Sequence, residues 1–170
     1  MSLAVGIDVG GTKLAAALVD TRTGEVRTEA RTPTEPRRGA GAVLADCVAL
    51  AGEVAAGMQR VAVGIGVCEL VDRDGRIGSA VTVDWRDVDV AGAFSAFGPA
   101  RVDSDIRAQA RAECAFGAAR GRGSALVVTV STGISHCLVL AGEPWAGARG
   151  NAICTGAPLV EEVAGGLALA

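Results

Sequence analysis

A chain of 170 residues, half of them hydrophobic and with a formal charge of −3, is long enough to bury a core and too apolar to stay disordered. With aromatics at 3%, no tyrosine and no basic footprint, it offers few surfaces on which bases could stack, so nucleic acid is not an expected partner. No run reaches the roughly 18 apolar residues of a membrane span, and no basic segment leads into an apolar stretch at the start, so a cytoplasmic protein without a membrane partner is expected. Cys47, Cys68, Cys114, Cys137 and Cys154 are scattered, odd in number and without a Cys-x-x-Cys pair. Buried free thiols are therefore expected, with neither a disulfide framework nor a zinc site.

Leu3 to Ile7 is a short apolar run that reads as a buried strand delivering Asp8 to a sheet edge or cleft. The chain must then turn at Gly10 and Gly11, whose backbones allow close approach, so that consecutive amides can point at an anion. Thr12 adds a hydroxyl, and Lys13 to Asp20 returns as the second strand of a hairpin. Neither the Walker spacing nor the dinucleotide fingerprint is present, and a strand follows the glycines instead of a helix. A hairpin whose glycines serve only the turn is the plain alternative, but it leaves the acid before them without a purpose.

Thr23-Gly24 is a turn and Glu25 to Arg31 a third, half-exposed strand, before a surface loop holding Pro33, Pro36, Arg37 and Arg38. Val43, Leu44, Cys47, Val48, Ala51 and Val54 recur at helical spacing, predicting a helix from Gly39 to about Ala56. Val61 to Val67 is short and apolar enough for a buried parallel strand, so three strands, a helix and a strand predict a mixed sheet with a right-handed crossover. Asp72 to Gly75 is a turn, Ile77 to Val83 is weakly strand-like, and Val90 to Phe97 is expected as a short helix. Ala100 to Asp103 is a brief strand, followed by a helix capped at Asp103 or Ser104 and running to about Ala119, with Asp105 in its first turn.

Gly121 to Ser124 reads as a hinge, and the opening pattern then returns: strand Ala125 to Val130, turn Ser131-Thr132-Gly133, strand Ser135 to Leu140. This predicts two related lobes, residues 1–120 and the start of a second at 121–170, facing a shared phosphate. A final helix is expected from Pro158 to Ala170. His136, the single histidine, reads as a structural or surface group, and Arg37-Arg38 and Glu161-Glu162 as solvated faces.

With Gly6-Ile-Asp-Val-Gly-Gly-Thr-Lys13 in hand, the opening resembles the first phosphate motif of the sugar kinase, actin and Hsp70 superfamily, and most closely that of the ROK sugar kinases and related repressors. Gly64 to Val67, Trp85 to Val88, Val102 to Asp105, Ala112 to Ala119 and Val128 to Ile134 follow in that family's order and spacing. The resemblance implies an α/β, ribonuclease H-like (actin-like ATPase) lobe with a mixed sheet, followed by the start of a second. It also implies ATP and Mg2+ as cofactors and transfer of the γ-phosphoryl group to a sugar hydroxyl. Asp105 matches the catalytic aspartate; Asp8, Gly10, Gly11, Thr12 and Lys13 match the first phosphate loop, with Asp8 toward Mg2+. Ser131, Thr132 and Gly133 match the second loop, while Ser104 and Asp105 would meet the acceptor. A homo-oligomer, a dimer, is implied as well, and the absence of a helix-turn-helix ahead of the first motif disfavours the repressor branch.

The sequence departs from that pattern mainly on the acceptor side. Ser104-Asp105 stands where the family has Asn-Asp, Cys68-Glu69 where it has Pro-Gly, and Val81 where it has a sugar-contacting asparagine. Ser135-His136-Cys137 interrupts the glycine-rich second loop, and Ile153 to Ala157 lacks the glutamate and histidine of the family's Gly-Glu-Ile-Gly-His. The zinc segment is missing. Two readings remain open: a kinase for a sugar or sugar-like acceptor, and a degenerate relative that binds a nucleotide, ligand or partner without turnover.

Overall fold

The computed structural model describes residues 2–58, 60–130 and 134–153. They form two compact units, the first reaching Asp105 and the second beginning at Ile106.

The first unit is a five-stranded mixed sheet. Strand β1 (Leu3–Val9) pairs antiparallel with β2 (Lys13–Asp20), and β2 with β3 (Val26–Pro33). Helix α1 (Ala40–Val54) then leads to β4 (Ala62–Val67), which lies parallel to β1, and β5 (Ala100–Ser104) lies parallel to β4. The resulting order is β3-β2-β1-β4-β5. Alternation fixes which side of the hairpin is covered: Val5, Ile7 and Val9 of β1 and Leu14, Ala16 and Leu18 of β2 are buried, with exposed or half-buried residues between them. Val43, Cys47, Leu50, Ala51 and Val54 of α1 join the same core, together with Val63, Ile65 and Val67 of β4. Outer strand β3 carries Arg27, Glu29 and Arg31 facing solvent, a composition that discourages pairing with another chain.

Between β4 and β5 the structure corrects two expectations. Residues 77–83 form no strand beyond a single bridge between Val71 and Ile77; the following backbone is gathered around a buried carboxylate instead. The helix expected from Val90 to Phe97 shrinks to one 3-10 turn, Gly92–Phe94. Phe94 is fully buried and its ring stands 6.1 Å from that of Phe97, so side-chain packing holds the segment where helical bonds do not.

Helix α2 (Asp105–Phe116) begins at the last residue of the first unit, continues as the start of the second, and stops short of Ala119. The Glu113 carboxylate accepts the Ala118 amide and the Glu113 carbonyl accepts that of Gly117, which closes the helix. Next come β6 (Ser124–Val130), β7 (Ile134–Leu140) and the two-residue β8 (Glu143–Pro144), an antiparallel sheet in that order. The β7–β8 turn places Ala141 at φ 53° and Gly142 at φ 78°, as a two-residue hairpin turn of the primed type requires. Buried Arg107 of α2 donates to the Gly150 carbonyl. Cys47 and Cys137 are buried thiols, whereas Cys68 and Cys114 are half-buried. The helix expected from Pro158, the acidic pair Glu161-Glu162 and Cys154 lie outside the described residues.

Candidate active site

The carboxyl ends of parallel strands are where open α/β sheets gather ligands, and here three such ends carry the candidate groups. In the ladder Asp8 of β1 stands beside Gly66 of β4, and Gly66 beside Asp103 of β5. Two residues on, Asp105 begins α2. Gly66 permits this closeness, because a Cβ there would lie 3.4 Å from the Asp105 Cα and 3.6 Å from the Ile7 carbonyl oxygen. The Asp8 residue is open to solvent on one side, yet burial around its carboxyl pushes its pKa above 3.8, the nearby Lys13 charge partly opposing this. A group in that condition is stabilised in its charged form by a cation.

The loop after β1 is shaped by one tight turn. The Gly10 amide donates to the Lys13 carbonyl at 3.0 Å, and a Cβ on Gly10 would sit only 3.0 Å from that same oxygen. Fully buried Thr34 fastens the loop from beneath: its hydroxyl donates to the Gly10 carbonyl at 2.7 Å and its amide to the Thr12 carbonyl at 3.2 Å. With the carbonyls tied inward, the exposed amides of Gly11 and Thr12 have no partner among the described residues, leaving two adjacent donors for an anion. Thr34 is a residue that holds this loop and that sequence reasoning missed. Nothing in a Thr-Pro-Thr stretch after a strand marks it, because its partners lie more than twenty residues earlier.

Glu69, just beyond β4, is the second such residue. It is 1% exposed, and its carboxylate accepts bonds from the Ser79 hydroxyl at 2.7 Å and from the amides of Val81 at 2.8 Å, Thr82 at 2.6 Å and Val83 at 3.0 Å. Burial works to raise its pKa, but the bonds from Ser79 and the three amides outweigh that and leave it below 4.5, so the side chain is an anion clasped by backbone. That clasp sets the Thr82 side chain beside the Gly10–Gly11 loop, its methyl 3.7 Å from where a Gly11 Cβ would be. Cys68 completes the bracket, donating to the Val9 carbonyl at 3.3 Å and contacting the Thr82 hydroxyl at 3.4 Å. Burial pushes the Cys68 thiol up, and the Asp105 and Glu69 charges add to this, so it is a neutral donor here and not a nucleophile.

Asp8, Gly10, Gly11, Thr12, Lys13, Ser104 and Asp105 therefore all belong to the strand ends of the first unit and the loops beside them. Ser104 is fully buried at the end of β5, and Asp105 half-buried. Val81 is 84% exposed, its backbone amide serving Glu69 while its side chain meets solvent. His136 is half-buried on β7, opposite Val128. Ser131, Thr132 and Gly133 lie outside the described residues, between β6 and β7. No helix among the described residues is long and apolar enough to cross a membrane.

A glucokinase of Streptomyces coelicolor is 34% identical over 145 residues, a match that covers 82% of this chain and 44% of the relative. The crystal structure of a ROK family glucokinase from Streptomyces griseus, in complex with glucose and AMPPNP, superimposes with a TM-score of 0.80 at 28% identity, over 89% of this chain and 48% of that one. An inorganic polyphosphate/ATP-glucomannokinase from Arthrobacter sp. strain KM gives a TM-score of 0.83 at 27% identity, over 99% of this chain and 70% of that one. The chain spans about half the length of the curated glucokinases it matches. Its first unit has the mixed sheet of an actin-like ATPase lobe, as the opening motif implied. The ROK family model matches residues 4–163, and the chain belongs to the ROK family.

Proposed function

We propose that this chain acts as a ROK-like ATP-dependent kinase, which transfers the γ-phosphoryl group of ATP to a hydroxyl of a sugar or sugar-like acceptor. The observation that carries it is the convergence of Asp8, the outward amides of Gly11 and Thr12, and Asp105 at neighbouring strand ends. Phosphoryl transfer asks little covalent chemistry of a protein; it needs phosphates held, charge offset and the acceptor oriented. The donor set fits ATP with Mg2+, which when bound supplies the phosphoryl group and offsets its charge. Gly10 to Lys13 and Ser131 to Gly133 would hold the phosphates, while Asp8 would face the metal. Asp105 would accept the acceptor's proton, and Ser104 with Asp105 would position that acceptor. The division into lobes at 1–120 and 121–170, a cytoplasmic location where ATP is abundant, and a dimer belong to the same reading.

Asp105→Asn tests it. A carboxylate that accepts the hydroxyl proton contributes on the order of 10²–10⁴ in rate, so transfer should fall by that factor while nucleotide affinity persists. Near-normal turnover in a folded, nucleotide-binding variant would end the catalytic assignment. One observation favours a second reading, a relative that binds without turnover. The position expected to contact sugar presents the Val81 side chain to solvent, and Glu69 is spent on backbone amides. An ADP-release assay over a panel of sugars separates the two.

A further inference from the structure

The loop after β1 is held from two sides. Thr34 takes the Gly10 and Thr12 carbonyls from one. On the other, Cys68 donates to the Val9 carbonyl at 3.3 Å and stands 3.4 Å from the Thr82 hydroxyl, while the Thr82 methyl lies 3.7 Å from where a Gly11 Cβ would be. Counting protons orders this contact. A thiol has one proton and a carbonyl oxygen can only accept, so the thiol serves Val9; the Thr82 hydroxyl, able to donate or accept, turns its own proton to sulfur. Burial, with the charges of Asp105 and Glu69, keeps the thiol protonated as this relay requires. Thr82 itself has no regular structure to place it. Residues 78–84 belong to no helix or strand, and the Glu69 carboxylate gathers them by accepting from the Ser79 hydroxyl and from the amides of Val81, Thr82 and Val83.

We propose that Thr82 is a positioning residue of the loop after β1, acting on the Val9 carbonyl through Cys68 and held in place by Glu69. It sets the affinity for a polyphosphate without touching one. Tying the Val9 carbonyl inward fixes the start of the turn from which the Gly11 and Thr12 amides point outward, and donors fixed before binding lose less freedom when an anion arrives. Thr34 cannot supply this hold, because its two bonds reach Gly10 and Thr12 and leave Val9 to the thiol. The role rests on reading Gly10 to Lys13 as a phosphate loop, and not on turnover.

Calorimetry on the full 170-residue chain measures the affinity for two probes, ATP with Mg2+ and inorganic triphosphate. Thr82→Val keeps the shape and a methyl but deletes the hydroxyl, and Cys68→Ala deletes the thiol. Each should weaken both probes about two- to tenfold, the span that one net hydrogen bond allows. Thr82→Ser and Cys68→Ser keep the donors and should bind as the unaltered chain does. Because both residues act on one carbonyl, the double variant Thr82→Val with Cys68→Ala should bind no more weakly than Cys68→Ala alone. Val54→Ala, in the buried face of α1, lowers stability without touching the loop and should leave affinity unchanged. Unaltered affinity in Thr82→Val and Cys68→Ala overturns the proposal, as do additive losses in the double variant. An equal loss in Val54→Ala overturns it too, since affinity would then only track folding. Should Thr82→Val fail to fold, Cys68→Ala against Cys68→Ser decides. A chain that binds neither probe refutes the phosphate loop and this hold together, whereas normal binding in the variants refutes the hold alone. The expected losses in a chain that never consumes ATP support the hold while counting against the kinase.

Discussion

Glu69 should matter more for folding than any surface charge in the first unit. Replacing it with alanine removes the acceptor for four donors, of which the Val83 amide is buried and those of Val81 and Thr82 lie in a partly buried bend. Each donor left dry costs about 1–3 kcal/mol, and the exposed backbone near Val81 can recover water. Roughly two donors then remain unsatisfied, so the expected loss is about 2–6 kcal/mol, a large part of the ~5–15 kcal/mol that holds a domain together. Even the lower figure moves the melting temperature of a chain this size by roughly 4–8 °C. Glu69→Gln keeps one acceptor oxygen and should fall between wild type and alanine. The pH dependence has a defined sign. Since the folded pKa lies below 4.5, the stabilisation is complete above that value and is lost as pH falls through the folded pKa. The gap between wild type and Glu69→Gln should therefore be widest near neutrality and close in acid. Calorimetric unfolding of both variants from pH 3 to 8 measures it; a Glu69→Ala protein with an unchanged melting temperature at pH 7 would refute the clasp.

The phosphate loop gives three further tests. Gly11→Ala should fold normally, since its Cβ would make only an ordinary 3.7 Å contact with Thr82, but nucleotide affinity should drop because the methyl crowds the two outward amides; unchanged affinity would remove the loop from the site. Thr34→Val deletes the 2.7 Å bond to the Gly10 carbonyl and should cost about 1 kcal/mol in denaturant unfolding, with weaker nucleotide binding beyond what stability explains. Asp8→Asn should raise the melting temperature at pH 7 and abolish any Mg2+-dependent gain in nucleotide affinity. Its pKa is raised by burial, so the charge costs stability as pH rises above 3.8, and the benefit of asparagine should vanish below that pH; a variant less stable than wild type at neutrality would contradict this.

Short-range pattern carried most of the first unit. The period-2 burial of β1 and β2 and the helical spacing of Val43, Cys47, Ala51 and Val54 are local properties of the chain, legible before any tertiary contact is known. The glycine pair after Asp8 was legible for the same reason. What stayed hidden depends on distant partners. Ile77 to Val83 has strand-like composition, and only the buried Glu69 carboxylate, 10 to 14 residues earlier, explains why its amides turn inward. Thr34 is invisible in sequence because its role is defined by carbonyls 22 and 24 residues upstream. Strand β8 was missed because its turn uses Ala141 with positive φ, where asparagine, aspartate or glycine would have signalled a hairpin.

The two ends of the site differ in how they are held, and this bears on what the chain could act upon. At the proposed phosphate end, the loop after β1 is fixed by backbone geometry and by Thr34, contacts that take no account of any acceptor. In the bend beyond β4, the segment carrying Val81 and Thr82 is fixed by Glu69. A carboxylate bound to four donors has no lone pairs left for a sugar hydroxyl, and the bend it creates turns Val81 outward. The same residue thus sets Thr82 beside the Gly10–Gly11 loop and shapes the surface that carries Val81. If Glu69→Ala weakens nucleotide binding as well as folding, support of the loop is the selected role. A variant that keeps nucleotide affinity yet shifts preference among acceptors would instead place acceptor discrimination in this bend.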